Sequence, residues 1–411
     1  MPRMSSDADL PPPAPDRPRV AVLAYAPTPY QLHLARRLSV EIPEAEFCFL
    51  YTDEPPDQGW SLSIPAGINA VEFRGGKPLS GTGRLSEQPR FFRRGGQIIR
   101  WIRDNRAAAL VCYGYNDAGR LRIARWCRRR RVPFFLAADS NALLDNPRGV
   151  RRLLKRAVVS SFLRCASGVM VFGRPGAAYF AHYGMPEERA YFVPYEPDYD
   201  ALAPRDPAQD RAVRESRGLT AGRRRLLFVG RLLALKRIDL LLAAFVAIAD
   251  RRPDWDLVLV GDGPLRAELV AAVPPALTSR VIWLGFEGDP AALGSIYRAC
   301  DVLVLPSEYE AWGLVVNEAL ANRLAVVTSH VVGAAAHLVR TGLPTEGANG
   351  RTFQSGEHRS LAAALLEVTE PGLVDAYKAN SPGILAEYRA LADPVAGMRK
   401  ALASVGVLHG R

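Results

Sequence analysis

Short apolar runs alternate with segments of helical periodicity along the first half of the chain. Runs rich in β-branched and aromatic residues predict strands at 19–25, 46–51, 108–113, 133–137 and 168–172. Apolar positions at helical spacing predict helices at 31–40, 91–106 and 150–164. Strands that alternate with helices in this way form a parallel sheet covered by helices on both faces.

The same alternation restarts after a Pro- and Asp-rich stretch at 193–210, which predicts a linker. Strands are predicted at 225–229, 256–260, 281–284, 302–305 and 325–328, and helices at 238–251, 265–273, 291–298 and 313–321. From residue 360 onward only helices are predicted, at 361–368, 373–389 and 394–405. The expected fold class is α/β, with two Rossmann-like doubly wound domains.

The length of 411 residues also favours two domains, because a single core usually splits beyond roughly 250–300 residues. We predict a disordered tail at 1–18, an N-terminal domain at 19–195, a linker at 196–222 and a C-terminal domain at 223–372, with helices at 373–411 that pack back on the N-terminal domain. The start lacks the basic and apolar segments of a signal peptide, and no apolar run reaches the roughly 18 residues of a membrane span. These features predict a cytoplasmic protein.

Cysteine and histidine usage gives no sign of a disulfide framework or a metal site. The five cysteines are scattered without a C-x-x-C pair, and the six histidines form no H-E-x-x-H or Cys/His cluster. We therefore predict no bound metal.

The net charge of +11 is concentrated between residues 120 and 156, where twelve basic residues face two acidic ones, a local net of +10. Such a segment favours an anionic partner. Within the helix predicted at 150–164, apolar residues recur at helical spacing, and the basic residues on the other face are Arg151, Arg152, Lys155 and Arg156. Two interpretations remain open: a helix lying on an anionic membrane surface, or an ordinary amphipathic helix packed on the sheet. Aromatic residues do not interleave with the arginines, so we predict no nucleic-acid partner.

Loops that follow the strands of the second half are the best candidates for a ligand site, because parallel sheets bind ligands at the carboxyl ends of their strands. The first loop carries Gly230, Arg231 and Lys236, and two cations five residues apart suit a diphosphate. The second loop is a tight turn that opens a helix and contains Gly261, Asp262, Gly263 and Pro264.

After the fourth strand come two glutamates with seven residues between them: Glu310 on the loop, and Glu318 two turns into the helix that follows. The backbone N–H groups of Gly313, Leu314 and Val315 would point out of the helix that starts there. A helix start of this kind is a ready anion-binding site.

In order and spacing these motifs resemble the donor-binding half of retaining GT-B glycosyltransferases of family 4, also called group 1 glycosyltransferases, over about 226–353. The matching pattern is a G-R-x4-K loop, a G-x-G-P-L turn and an E-x7-E pair after a P-S strand end. The resemblance implies two domains that face a central cleft. It also implies transfer from a nucleotide diphosphate sugar, most readily a UDP- or GDP-sugar, with retained anomeric configuration and without a cofactor.

The resemblance also assigns roles to single residues. Arg231 and Lys236 would hold the diphosphate, Glu310 would lie beside the donor sugar, and Glu318 would accept hydrogen bonds from the ribose hydroxyls. The nucleotide base would lie beside the loop formed by Leu284, Gly285 and Phe286. The remaining residues expected at the donor site belong to the same loops and are Gly230, Gly261, Gly263, Pro264, Trp312, Gly313, Leu314 and Val315.

The first half is expected to bind the acceptor, a glycan or a lipid-linked sugar. Its opening P-T-P-Y loop contains Pro29 and Tyr30 and resembles a subgroup that builds surface polysaccharides. Many relatives place a histidine after the strand at 108–113, where this chain has Gly114, Tyr115, Asn116 and Asp117. Tyr115 and Asn116 are expected to line the acceptor cleft together with Pro29 and Tyr30. Asp117 or Asp139 could assist the acceptor hydroxyl, or each could instead cap the helix that follows it.

Other function classes are weighed against this one. No G-x-G-x-x-G follows the first strand of either half, which argues against a dinucleotide-dependent oxidoreductase. The usual Gly-Pro after the E-x7-E helix is replaced by Arg323 and Ala325, and a later glycine and glutamate by Ala334 and His337. A catalytically degenerate GT-B protein that binds nucleotide without transfer is therefore the alternative.

Overall fold

The computed structural model describes residues 17–52, 64–73, 85–204, 206–219 and 222–408. Most of the tail predicted at 1–18 lies outside the described residues. The chain divides into two compact units: Met1–Glu196 with Ala392–Arg411 form one, and Pro197–Leu391 form the other.

The described residues of the first unit form a parallel sheet of seven strands in the order β3-β2-β1-β4-β5-β6-β7. Its strands are β1 Arg19–Ala24, β2 Glu46–Tyr51, β3 Asn69–Glu72, β4 Ala109–Tyr113, β5 Phe134–Ala137, β6 Gly168–Val171 and β7 Ala190–Phe192. Its helices before residue 197 are α1 Pro29–Glu41, α2 Gln88–Asp104, α3 Ala118–Arg130, α4 Val150–Leu163 and α5 Arg174–His182. The strand order reverses between β1 and β4.

The core of the first unit lies on both faces of this sheet. Along β1, Ala21 and Leu23 belong to one buried cluster and Val20 and Val22 to the other, as the two-residue period of a strand requires. A strand buried on both faces reads as a continuous apolar run, which explains why it was predicted.

The second unit repeats this plan with the strand order β10-β9-β8-β11-β12-β13 among its described residues. Its strands are β8 Arg224–Val229, β9 Trp255–Val260, β10 Val281–Gly285, β11 Val302–Leu305, β12 Ala325–Ser329 and β13 Gly350–Phe353. Its helices are α6 Tyr199–Leu202, α7 Pro207–Ser216, α8 Ile238–Ile248, α9 Arg266–Ala271, α10 Pro290–Arg298, α11 Leu314–Ala321, α12 Ala335–Leu338, α13 His358–Val368 and α14 Val374–Leu391. The order reverses between β8 and β11. The predicted fold class, two Rossmann-like α/β units, is confirmed.

Three strands escaped the sequence prediction: β3, β7 and β13. Each is three or four residues long and forms an edge of its sheet. A short edge strand lacks the continuous apolar run of a central strand, so its pattern is weak.

The segment predicted as a linker at 196–222 carries two helices. Asp198 caps α6 by accepting from the Ala201 N–H at 3.0 Å, and Asp206 caps α7 by accepting from the Ala208 N–H at 2.8 Å. Pro207 is the first residue of α7, where a missing N–H costs nothing. The Pro and Asp residues that suggested a linker are therefore helix-start signals.

The terminal helices divide differently from the prediction, which sent all of 373–411 back to the first domain. Helix α14 stays in the second unit, where it packs against α11, α12 and β12 and buries Tyr377 and Ile384. Only Ala392–Arg411 join the first unit. They include the helix α15, Pro394–Ala403, which packs on α1 and β7 and buries Met398 and Leu402.

None of the helices in the described part of the chain is both long and apolar enough to cross a bilayer. The five cysteines all lie within the described ranges and are all free thiols.

Candidate active site

Loops after β8, β9 and β10 stack directly on one another in the second unit. The Gly230 N–H donates to the carbonyl of Val260 at 2.9 Å, and the Gly261 N–H donates to the carbonyl of Gly285 at 2.7 Å. Gly261 has a φ of +133°, and a Cβ at this position would lie 1.9 Å from the carbonyl oxygen of Gly230. Glycine is therefore required here by both backbone conformation and contact.

The loops after β8 and β11 join at the point where the strand order reverses. Lys236 forms an ion pair with Glu310, and the Glu308 N–H donates to the carbonyl of Leu235 at 2.9 Å. Ser307 Oγ also donates to Glu310 Oε2, at 3.3 Å. This reversal is where open α/β sheets bind their ligands, so the predicted cation and carboxylate lie at the expected place.

Arg231 is an exposed cation that precedes Lys236 by five residues in the same loop. Within the described ranges its side chain has no hydrogen-bond or ion-pair partner, whereas Lys236 is partly buried and held by Glu310. An arginine without an internal partner keeps all of its donors for an external anion.

The start of α11 adds a second source of positive potential. Gly313 precedes the helix with a φ of +100°, and a Cβ there would lie 3.1 to 3.2 Å from side-chain atoms of Leu305, Glu310 and Val332. No side chain caps this helix. The N–H groups of Leu314 and Val315 in the first turn are therefore available for an anion.

Glu318 lies one turn into α11 and is almost completely buried. The Tyr297 hydroxyl, on α10, donates to its carboxylate at 2.7 Å. Sequence analysis missed Tyr297, because it lies outside every motif and reaches Glu318 only through the packing of α10 on α11. The bond fixes the orientation of the glutamate that was predicted to bind the ribose.

Trp312, predicted to lie at the donor site, packs in the interior of the second unit. The indole is 4% exposed, and its Nε1 donates to Asn317 Oδ1 at 3.0 Å. Its ring packs against Tyr388 at 5.3 Å and His337 at 6.1 Å between centroids. His337, one of the departures from the family pattern, thus completes an aromatic cluster in the second unit.

Two other predicted loops show mixed outcomes. The Asp262 carboxylate accepts from the Gly263 N–H at 2.7 Å, so that N–H is already used within the turn that Pro264 follows. Leu284 and Gly285 end β10, and Phe286 after them is well exposed, as a residue that contacts a base would have to be.

In the first unit, the loops after β1 and β4 also meet at the strand-order reversal. The Tyr25 hydroxyl donates to Asn116 Oδ1, and burial raises the pKa of Tyr25 to about 12. This phenol is therefore protonated near neutral pH and acts as a donor rather than a base. Pro29 and Tyr30 follow in the first turn of α1, where Thr28 caps the helix.

Tyr115, predicted to line the acceptor region, is tied into the structure by its hydroxyl. It shares hydrogen bonds of 2.8 Å with Ser140 Oγ and with the Tyr179 hydroxyl. These bonds link the loop after β4 to the loop after β5 and to α5. Tyr115 therefore positions these loops with its polar end.

Asp117 and Asp139, the two candidates for assisting the acceptor hydroxyl, lie in different environments. Asp117 is buried, caps α3 by accepting from the Arg120 N–H at 2.8 Å, and pairs with the buried Arg120 guanidinium. Its carboxylate is occupied in holding the helix, which was the other interpretation of this residue. Asp139 is exposed at the end of β5.

The basic segment also divides into structural and free charges. Arg120 is buried against Asp117, and Lys155 pairs with Asp145 at 2.6 Å, so neither contributes to an external basic surface. Arg151, Arg152 and Arg156 are exposed. Within the predicted anion patch, Lys155 is therefore paired with a carboxylate of the protein, whereas the three arginines face solvent.

A family model and curated proteins match part of this chain in sequence. Residues 223–370 match the family model of group 1 glycosyl transferases. The chain is 32% identical over 223 residues to a D-inositol 3-phosphate glycosyltransferase of Segniliparus rotundus, which covers 51% of this chain and 49% of that relative. The chain thus spans about half the length of this curated relative, and the match supports the group 1 family for the second unit.

Solved structures resemble the whole chain in fold. HepE from Anabaena in complex with UDP and glucose has a TM-score of 0.67 at 18% identity, covering 94% of this chain and all of that one. Sucrose-phosphate synthase from Thermosynechococcus elongatus has a TM-score of 0.70 at 18% identity, covering 95% of this chain and all of that one. The fold is that of the GT-B glycosyltransferases.

Proposed function

We propose that the protein is a retaining glycosyltransferase that moves a sugar from a nucleotide diphosphate sugar to a glycan or lipid-linked acceptor. The observation that carries the proposal is the set of groups at the β8/β11 reversal: exposed Arg231, the Lys236–Glu310 pair and the uncapped start of α11. The relative from Segniliparus is named as a glycosyltransferase, and HepE was solved with UDP and glucose, which supports a nucleotide-sugar donor.

Transfer breaks the bond between the anomeric carbon and the phosphate oxygen, so negative charge grows on the leaving diphosphate. The N–H groups at the start of α11 are held by the helix and would stabilise that charge, and the Arg231 guanidinium would add to this effect. In the absence of the sugar donor, Lys236 pairs with Glu310. Once the donor binds, the Lys236 ammonium would also interact with its phosphates. With these groups in place the reaction needs no metal ion or other cofactor.

Retention would follow if the acceptor hydroxyl attacks the face that the diphosphate leaves. The new bond joins the acceptor oxygen to the anomeric carbon, and the hydroxyl proton passes to the departing phosphate oxygen. Asp139 is the acidic candidate of the first unit for orienting the acceptor, because Asp117 is engaged by Arg120. A pathway that assembles surface polysaccharides or glycolipids, on the cytoplasmic side of the membrane, fits this chemistry.

Two measurements test transfer and its stereochemistry. Release of nucleoside diphosphate is followed with donor and acceptor extract in the presence of a metal chelator, and the anomer of the product is assigned by NMR. Turnover with retained configuration under chelation is expected. Donor binding without any turnover would instead identify the degenerate alternative.

Glu318 provides a prediction about donor binding. A panel of UDP-, GDP-, ADP- and dTDP-sugars should contain one donor that raises the melting temperature of the wild type by mass action. In Glu318→Ala that rise should be lost or strongly reduced, because the carboxylate that accepts from the ribose hydroxyls is gone. The measurement is a thermal-shift titration.

The matched control for this test is Tyr297→Phe, which removes the hydroxyl bonded to Glu318 but leaves the carboxylate in place. It should keep most of the donor-induced rise. Equal rises in wild type and Glu318→Ala would show that Glu318 does not contact the donor.

A further inference from the structure

The first two turns of α4 present apolar side chains to solvent. Val150, Leu153, Leu154 and Val158 are 71%, 68%, 62% and 45% exposed. The second half of the same helix is anchored in the core through the buried residues Val159, Phe162 and Leu163. The alternative in which this apolar stripe packs on the sheet therefore holds only for the last turns of α4.

The exposed apolar residues are spaced at three and four positions, so they form one continuous strip on the helix surface. Exposed arginines accompany them: Arg151, Arg152 and Arg156 on the adjoining faces of the helix, and Arg148 just before its start. We call this surface the α4 apex; it consists of Val150, Leu153, Leu154, Ala157 and Val158 together with those four arginines. Folded proteins rarely leave such a strip uncovered unless it binds something.

The charge of the α4 apex is not compensated by the protein. Its four arginine side chains have no ion-pair or hydrogen-bond partner in the part of the chain that the structure describes. Asp145, the nearest acidic residue before the helix, is used by Lys155, and the sequence contains no acidic residue from 146 to 186. Helix α3, which packs against α4, carries the exposed arginines Arg125, Arg128 and Arg129, which do not belong to the apex.

The combination of exposed leucines and arginines fits a lipid bilayer better than a nucleic acid. Phosphate groups of a nucleic acid would satisfy the arginines but would leave Leu153 and Leu154 in water. At a bilayer surface the leucines can enter the boundary of the acyl chains while the arginines extend to anionic head groups. We propose that the α4 apex binds the surface of a bilayer that contains anionic lipids, inserting the first two turns of the helix.

Flotation of the purified full-length protein with vesicles tests the proposal. The two vesicle types are phosphatidylcholine alone and an equal mixture of phosphatidylcholine and phosphatidylglycerol. The wild type should float with the mixed vesicles. With the neutral vesicles it should remain unbound, at the bottom of the gradient. Leu153→Ser with Leu154→Ser, and separately Arg151→Glu with Arg152→Glu, should each lower the partition coefficient by at least about tenfold.

The matched control is Arg128→Glu with Arg129→Glu, which changes the net charge by the same amount on exposed positions of α3 outside the apex. It should keep most of the binding. Loss of binding equal to that of the Arg151/Arg152 variant would show that the whole basic segment acts as a diffuse charge, and would overturn the proposal.

Heparin distinguishes a bilayer from a general polyanion, because it offers charge without an apolar interior. The Leu153/Leu154 variant should elute from heparin with the wild type while it fails to float. Flotation of that variant at the wild-type level, or no flotation of the wild type with mixed vesicles, would contradict membrane binding. The donor-induced thermal shift of each variant should match that of the wild type, which confirms folding and keeps this test separate from transfer.

Discussion

Arg231→Ala is expected to lower kcat for sugar transfer by about 10²–10³-fold, the usual cost of removing one group that stabilises developing charge. The guanidinium is exposed and lacks a partner within the described ranges, so its loss removes no internal contact. The free energy of unfolding should therefore change by less than about 0.5 kcal/mol. The measurement is steady-state kinetics together with thermal unfolding.

Arg251→Ala is a matched control for this variant. Arg251 is also exposed and lies in the short helix just before β9, at the amino end of the sheet and away from the loops that bind ligands. Its kinetics should equal those of the wild type. A normal kcat in Arg231→Ala would remove Arg231 from the catalytic site.

Gly261→Ala is expected to destabilise the second unit by about 3 kcal/mol, through a strained backbone and a forced contact together. The added Cβ would lie 1.9 Å from the Gly230 carbonyl oxygen, closer than any real contact. Relief requires the loop that carries Gly230 and Arg231 to move. The melting temperature should fall by roughly 6–12 °C, and the donor-induced rise should disappear.

Gly347→Ala is the control that separates backbone strain from the contact made by the added Cβ. Gly347 also has a positive φ, +85°, but a Cβ there meets nothing within 4 Å. This variant should lose only about 1 kcal/mol of stability from backbone strain and should keep donor binding. Equal losses in both variants would show that the contact between the loops after β8 and β9 is unimportant.

Much of the candidate site could be predicted because its signals are local. Gly230, Arg231 and Lys236 follow β8, Glu310 and Gly313 follow β11, and Glu318 lies in α11, the helix that comes next. Both strands are buried and have a clear apolar pattern. Parallel strands bring their carboxyl ends to one edge, so strand prediction alone places the loops near each other.

What the sequence could not supply were contacts between residues distant in the chain. The pairing of Lys236 with Glu310 spans 74 positions, and that of Tyr297 with Glu318 joins two helices. Trp312 lies inside the motif but turns into the core, because Tyr388, 76 residues later, offers it an aromatic surface. Such choices depend on tertiary packing, which periodicity does not encode.

The first unit shows the same limit. Asp117 could be predicted either as a residue that assists the acceptor hydroxyl or as a helix cap, and only the position of the buried Arg120 guanidinium decides for the cap. Helix α4 reads as amphipathic along its whole length, yet the protein buries only its second half.

We infer that Arg231, Lys236 and the start of α11 hold the pyrophosphate of an activated sugar. The most direct measurement is a crystal structure of the protein soaked with the donor that gives the largest thermal shift. We expect pyrophosphate oxygens within about 3.5 Å of the Arg231 guanidinium, the Lys236 ammonium and a backbone N–H at 313–315. A pyrophosphate bound elsewhere in the protein, with these groups unoccupied, would contradict this inference.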